Sequence, residues 1–261
     1  MRNNLVRAPL VTALVAAALL AVQFGVPDGN AHPYVGLVVF YDTGGTPLWR
    51  CTGTLMTPTV FLTAAHCTEG PAVRAQVWFD SKVASPPYPN SGGIMGTPHP
   101  HPGWNGSLTI PNTHDVGVVI LDKKVRSKVY GQLPTLGALD GLATQRGLQE
   151  VSFTVVGYGL QGVKPEYLSA RERYRGVTRI VNLGSALTDG YNIQFSNNPG
   201  NWSGGTCFGD SGGPNFMGDT NIVAAVTSFG LNQNCAGTGF GFRTDITETR
   251  SFLASYGVSV P

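Results

Sequence analysis

Apolar residues in this chain come in short runs rather than at helical intervals. Residues 35–41 read Val-Gly-Leu-Val-Val-Phe-Tyr and stop at Asp42-Thr43-Gly44-Gly45, the pattern of a strand followed by a turn. Residues 51–56 and 60–63 flank Thr57-Pro58-Thr59 and predict a hairpin. Further strands are predicted over 75–79, 116–121, 153–156, 174–181, 191–195, 222–229 and 239–243. So many short strands, with turn signals between them, predict closed or sandwiched antiparallel sheet. A helical pattern is confined to the end. There Asp245 and Glu248 have capping-box spacing, Ile246, Phe252, Leu253 and Tyr256 fall near one face, and Gly257 supplies a stop. Over residues 123–149 the pattern weakens, broken by Pro134, Gly137, Gly141 and Gly147. This stretch reads as a connection between two strand-rich halves that share no sequence repeat.

Composition agrees with the pattern. The 261 residues can bury a sizeable core, and 35 Gly and 18 Pro with only 12% charged residues favour short strands and turns over long surface helices. A net charge of +2, with no basic block, argues for neither nucleic acid nor an acidic membrane as partner. Arg2 and Arg7 precede an apolar run over residues 8–24 interrupted only by Pro9, Thr12 and Gln23, the order of a secretory signal and short for a spanning helix. Four Cys in an exported chain read as disulfides. They allow three pairings, of which their neighbours suggest Cys51 with Cys67 and Cys207 with Cys235. None sits in a C-x-x-C spacing, so no metal site and no cofactor are expected.

Candidate chemistry begins at Cys207-Phe208-Gly209-Asp210-Ser211-Gly212-Gly213-Pro214. Glycines on both sides leave the Ser211 hydroxyl unshielded and free the N–H groups of Gly209 and Ser211 to point at a carbonyl oxygen, the layout of an oxyanion hole. A serine hydroxyl is a poor nucleophile without a base. Thr63-Ala64-Ala65-His66-Cys67 supplies a histidine at the end of an apolar strand. His114-Asp115-Val116-Gly117 places a carboxylate at the head of another, where a charge entering a core needs a partner. Each alone has an ordinary structural explanation: a satisfied histidine, a turn aspartate, a Gly-rich turn. Together they occur in the order His, Asp, Ser of one catalytic template. In that template the aspartate orients the imidazole, and the imidazole takes and later returns the serine proton.

The chain resembles the chymotrypsin-like (trypsin-fold) serine proteases. The resemblance rests on 63–67, on His114-Asp115-Val116-Gly117-Val118-Val119-Ile120-Leu121, and on Val156-Gly157-Tyr158-Gly159. Gly209-Asp210-Ser211-Gly212-Gly213-Pro214, Thr227-Ser228-Phe229-Gly230 and the loop His101-Pro102-Gly103-Trp104-Asn105 complete it, and it covers essentially the whole mature chain. It implies an all-β fold of two antiparallel six-stranded barrels packed face to face, with a C-terminal helix. The first barrel would span about 32–130 and the second about 150–245, with the active site in the cleft between them. It implies a secreted, monomeric serine endopeptidase acting on protein or peptide through an acyl-enzyme, with no membrane partner after signal removal. Position by position, Ser228, Phe229 and Gly230 match the segment that pairs with the substrate backbone. Gly205 stands where trypsin-like members carry an acid at the base of the specificity pocket, and Gly230 and Gly239 match its walls. Glycine at all three implies Phe, Tyr or Leu before the cut rather than Arg or Lys, with Thr206 an unassigned polar group nearby.

Two other classes fit the sequence less well. An inactive binding module on the same fold usually lacks a triad member, and none is lacking. The common esterase fold carries its Asp and His downstream of the serine, and no histidine follows Ser211. The chain also departs from the family's pattern. It has no Arg-Ile-Val-Gly-Gly to supply the N-terminal amine that pairs with the acid before the nucleophile, here Asp210. Signal cleavage after Ala21 would start the chain at Val22, within about a residue of the expected N-terminus, and make Val22 the partner of Asp210. Cleavage after Ala31 would start it at His32. His99-Pro100-His101 reads as a surface loop, Arg171 to Arg175 as a solvated basic face, and Asn105 and Asn201 as sequons.

Overall fold

A computed structural model of the chain describes residues 22, 25–84, 88, 92–143, 151–163, 168–198 and 204–261. The leader up to Ala21 and the sequon at Asn201 lie outside these. After a two-residue strand, β1 (Val26–Pro27), come β2 (Val35–Tyr41), β3 (Pro47–Leu55), β4 (Val60–Thr63), β5 (Arg74–Trp78), β6 (Ile94–Pro100) and β7 (Gly117–Leu121). These six pair antiparallel in the closed order β2-β3-β4-β7-β6-β5. The second half contributes β8 (Ser152–Gly157), β9 (Tyr174–Asn182), β10 (Asn192–Ser196), β11 (Pro214–Met217), β12 (Val223–Gly230) and β13 (Thr238–Arg243). Its order β9-β10-β13-β12-β11-β8 closes through β8–β9 pairing, and β1 adds to β9 through Val26 and Pro27. Two six-stranded antiparallel barrels result, with few helices.

Closure buries apolar residues inside both barrels and leaves few sheet edges to manage. One continuous core joins them: Val38, Phe61 and Val118 of the first barrel belong to the same cluster as Val156, Phe216, Val226 and Phe242 of the second. The C-terminal helix α2 (Thr247–Ser255) packs Phe252 and Leu253 onto this core and ends before Gly257, whose φ of +81° a side chain would resist.

Three local expectations are corrected. The expected capping box does not form, because its two carboxylates are engaged elsewhere. Asp245 accepts from Arg243 at 2.7 and 2.8 Å and from the Leu139 N–H at 2.8 Å, and Glu248 turns to Asn112 and His114. His99 and Pro100 belong to strand β6 rather than a loop; β6 pairs with β7 despite its prolines, His99 standing opposite Val118. Arg173 is fully buried rather than solvated, because Asp28 reaches it at 2.9 Å while Val35 O, Phe79 O and the Tyr158 hydroxyl surround the same guanidinium. Strand β11 has no readable signal in the sequence, since its four residues begin at the proline of Gly-Gly-Pro and show no alternation.

Candidate active site

The register of one strand pair brings the candidate base and carboxylate together. In the β4–β7 ladder Thr63 lies opposite Gly117. The chain leaves β4 three residues before His66 and enters β7 two residues after Asp115, so both emerge at the same end of the sheet. A single-turn helix α1 (Ala65–Thr68) then carries His66, tied down by the Cys51–Cys67 disulfide and by the Trp49 indole, which donates to Cys67 O at 2.9 Å. His66 Nδ1 lies 2.8 Å from Asp115 Oδ2 and 3.1 Å from Oδ1, and the His66 N–H donates to Oδ1 at 2.9 Å. The Ser228 hydroxyl donates to Oδ2 of the same carboxylate. Asp115 is completely buried, so its carboxylate relies on these donors in place of water.

The electrostatics follow from this arrangement. Burial alone would lower the His66 pKa, but the charge and hydrogen bond of Asp115 outweigh it, and the imidazole is held above its ordinary 6.5. Burial alone would raise Asp115; His66, then Ser228, reverse that and hold it below 3.8. Ser228 reaches the carboxylate because the β12–β13 register shifts between Thr227 and Phe229, a bulge that re-aims one side chain.

Ser211 sits on the turn before β11, wedged against the first barrel. Thr52 of β3 receives it twice: its N–H donates to Ser211 O and its hydroxyl to Gly209 O, both at 2.8 Å. A Cβ on Gly212, at φ +79°, would lie 1.9 Å from Thr63 Oγ1, so only glycine permits this approach. The turn leaves two donors unspent. The N–H groups of Asp210, Gly212 and Gly213 bond to Cys207 O, Thr227 O and Asp210 O, whereas those of Gly209 and Ser211 donate to no acceptor among the described residues. Gly209, at φ +95°, aims its N–H away from the turn interior as few other residues could.

Asp210 points inward. It accepts from the Gly159 N–H at 2.8 Å and the Cys207 N–H at 2.9 Å; burial pushes its pKa up to about 6, against the pull of these bonds and of the Arg50 guanidinium. Val22 is buried against Val155 and Tyr174 and touches Gly176, whereas Asp210 packs against Gly157 and Gly159.

A cleft of about 480 Å³ is lined by His66, Ser211, Thr206, Ser228, Phe229 and Gly230, with Leu108, Phe208 and Leu231 at exposed positions. The cleft, bounded by the Cys207–Cys235 disulfide, thus brings together His66, Ser211 and four of the predicted pocket residues, with Asp115 reached through His66. Gly205 and Gly239 do not reach the cleft surface themselves; both pack against Asn197, which sequence reasoning missed along with Arg50 and Thr52. The link from Ser228 to Asp115 was also missed. These relations cross between strands, and no local motif signals them. The ligand atoms of Cys51, His66 and Cys67 cluster within 4.8 Å, but the disulfide uses both sulfurs.

Comparison with known proteins agrees with this geometry. The chain matches a solved structure of HL collagenase with a TM-score of 0.71 at 19% identity, over 91% of this chain and 99% of that one, a likeness of fold. Serine protease 1 and Serine protease 2 of Drosophila melanogaster are each 27% identical over 219 residues, 78% of this chain and 72% of theirs. The family described as Trypsin matches residues 26–253. With that match spanning both barrels, the chain belongs to the trypsin family of serine proteases, as a hydrolase of the serine-endopeptidase type.

Proposed function

We propose that the protein hydrolyses peptide bonds with His66, Asp115 and Ser211 as a triad. The observation that carries this reading is the pairing of His66 with a buried, fully donated Asp115 beside a serine flanked by two unspent N–H groups. Asp115 holds the proton on Nδ1, leaving Nε2 free to accept the Ser211 proton as the hydroxyl attacks the substrate carbonyl. The Gly209 and Ser211 N–H groups receive the developing oxyanion. His66 then returns the proton to the leaving amine. Water, activated by the same imidazole, cleaves the acyl-enzyme and restores Ser211. Two disulfides fit an extracellular protein, which we read as a monomer acting on protein or peptide substrates. Ser228, Phe229 and Gly230 would pair with the substrate backbone.

The pocket supports a preference for Phe, Tyr or Leu over Arg or Lys. A side chain at Gly205 would start 2.5 Å from the Asn197 Cβ, so no carboxylate could be housed there. For maturation, the buried Asp28–Arg173 pair favours a start at Val22 over His32. Cleavage after Ala31 would remove Asp28 and strand a buried guanidinium. The freed Val22 amine is the proposed partner of Asp210.

A fluorophosphonate probe tests the function. The mature protein should be labelled and Ser211→Ala should not. Equal labelling of both, or peptidase activity surviving in Ser211→Ala, refutes the assignment.

A further inference from the structure

We propose that Asn197 is a specificity-determining residue that sets tyrosine above phenylalanine at the position before the cut. This rests on the reading of the cleft given above. Asn197 follows β10, is only 3% exposed, and lines the cleft that holds His66 and Ser211. Its backbone N–H donates to Gly237 O at 2.9 Å, and its Nδ2 lies 3.3 Å from both Thr206 O and Cys235 O. Two carbonyls at one end of the amide require the nitrogen there, which fixes the flip. Oδ1 is thereby turned away from both carbonyls, and it accepts no hydrogen bond among the described residues.

The amide occupies the space that two glycines vacate. A Cβ on Gly205 would collide with Asn197 Cβ and Cγ at 2.5 Å. A Cβ on Gly239 would stand 3.1 Å from Oδ1 and 3.0 Å from Nδ2 and Thr206 Oγ1. Gly239 lies opposite Gly230 in the β12–β13 ladder, and nothing closer than Thr238 O at 3.8 Å faces a Cβ position on Gly230. Gly230 therefore lines the cleft with backbone and no side chain, suited to a planar ring, while Asn197, also in the lining, offers a neutral acceptor. A ring that fills the cleft excludes water from this acceptor, and a phenol carries a replacement donor at the tip of that ring. A phenylalanine fills the same wall and leaves Oδ1 unpaired. A lysine brings a full charge to one neutral oxygen with no counterion.

The test uses mature enzyme and three peptide amides that differ only in Tyr, Phe or O-methyl-tyrosine before the cut. Tyr should be cleaved with a kcat/KM roughly three- to tenfold above the other two, the worth of one neutral hydrogen bond. In Asn197→Ala the ratio should fall to about one while fluorophosphonate still labels Ser211. Thr206→Val should keep the ratio, because the backbone carbonyl that orients Asn197 remains. Equal rates on Tyr and Phe in labelled wild-type enzyme overturn the proposal even if Asn197→Ala does not fold. So does loss of the ratio in Thr206→Val, or its survival in folded Asn197→Ala. Absence of both label and turnover in wild-type protein refutes instead the triad reading beneath it.

Discussion

Exchanging Asp115 for asparagine tests the geometry most directly, because the shape is kept while the charge and one acceptor are lost. The His66 N–H, 2.9 Å from Oδ1, needs an acceptor, so the amide oxygen of Asp115→Asn should remain there. The new NH2 then takes the Oδ2 position, facing His66 Nδ1 at about the present 2.8 Å. Ser228 can rotate its hydroxyl to accept, but Nδ1 must also accept, which moves the imidazole proton to Nε2. In the proposed triad that nitrogen serves Ser211, and once protonated it can no longer take the hydroxyl proton. Loss of two charge-assisted bonds, from His66 Nδ1 and from Ser228, at about 1.5–3 kcal/mol each removes roughly 3–6 kcal/mol of transition-state stabilisation. At about 1.4 kcal/mol per decade this is a fall in kcat of roughly 10² to 10⁴ at pH 7. The pH profile should change in a definite direction. With Asp115 present, the acid limb of kcat/KM falls above pH 6.5, since the imidazole is held above its ordinary value and only its neutral form acts. Without the carboxylate, the opposing effect of burial remains, and the limb should move below 6.5. The assay is kcat and kcat/KM on a tyrosyl peptide amide from pH 5 to 9, with thermal melting to confirm folding. A folded Asp115→Asn enzyme within tenfold of wild type, or an acid limb that stays put or rises, refutes the reasoning.

Two further outcomes concern the N-terminal segment and are best measured in a Ser211→Ala background to prevent autolysis. Asp28→Ala should cost about 3–5 kcal/mol in urea unfolding at pH 7, because it leaves Arg173 buried and unpaired; a loss under 1 kcal/mol would show that water reaches the guanidinium. The Asp28 pKa lies near 2, so this contribution is present above pH 3.8 and fades as pH falls through 2. In the chain that retains its leader, Asp210 is raised from 3.8 to about 6. Its contribution to stability is therefore present below pH 3.8 and lost as pH rises through 6, a decline of about 3 kcal/mol relative to Asp210→Asn. In the chain starting at Val22, pairing with the new amine should abolish that decline; an unchanged decline would refute Val22 as partner.

Much of the molecule was legible along the chain. The run Val-Gly-Leu-Val-Val-Phe-Tyr became β2 at its predicted limits, and the hairpin around Thr57-Pro58-Thr59 became β3 and β4, because alternation and turn chemistry act between near neighbours. Strand β6 was not legible, since Pro98 and Pro100 read as breakers and only pairing with β7 reveals them as strand. Asp245 and Glu248 have the spacing of a cap, but Arg243 and His114, brought in by packing, claim them first. Arg173 looks like the other arginines of its stretch until Asp28, 145 positions away, folds onto it.

By itself the sequence determined a fold of many short antiparallel strands, closed or sandwiched, and the resemblance to the chymotrypsin-like proteases implied two barrels. It also marked the candidates for chemistry, because His66, Asp115 and Ser211, ordinary one by one, occur together in the order of one catalytic template. Tertiary structure alone decided what those residues touch: the β4–β7 register that sets His66 on Asp115, the bulge that turns Ser228 to the same carboxylate, and Asn197 filling the space two glycines leave. A motif records what neighbours along the chain require of one another. A hydrogen bond between distant strands depends on register and closure, which exist only once the barrels have formed.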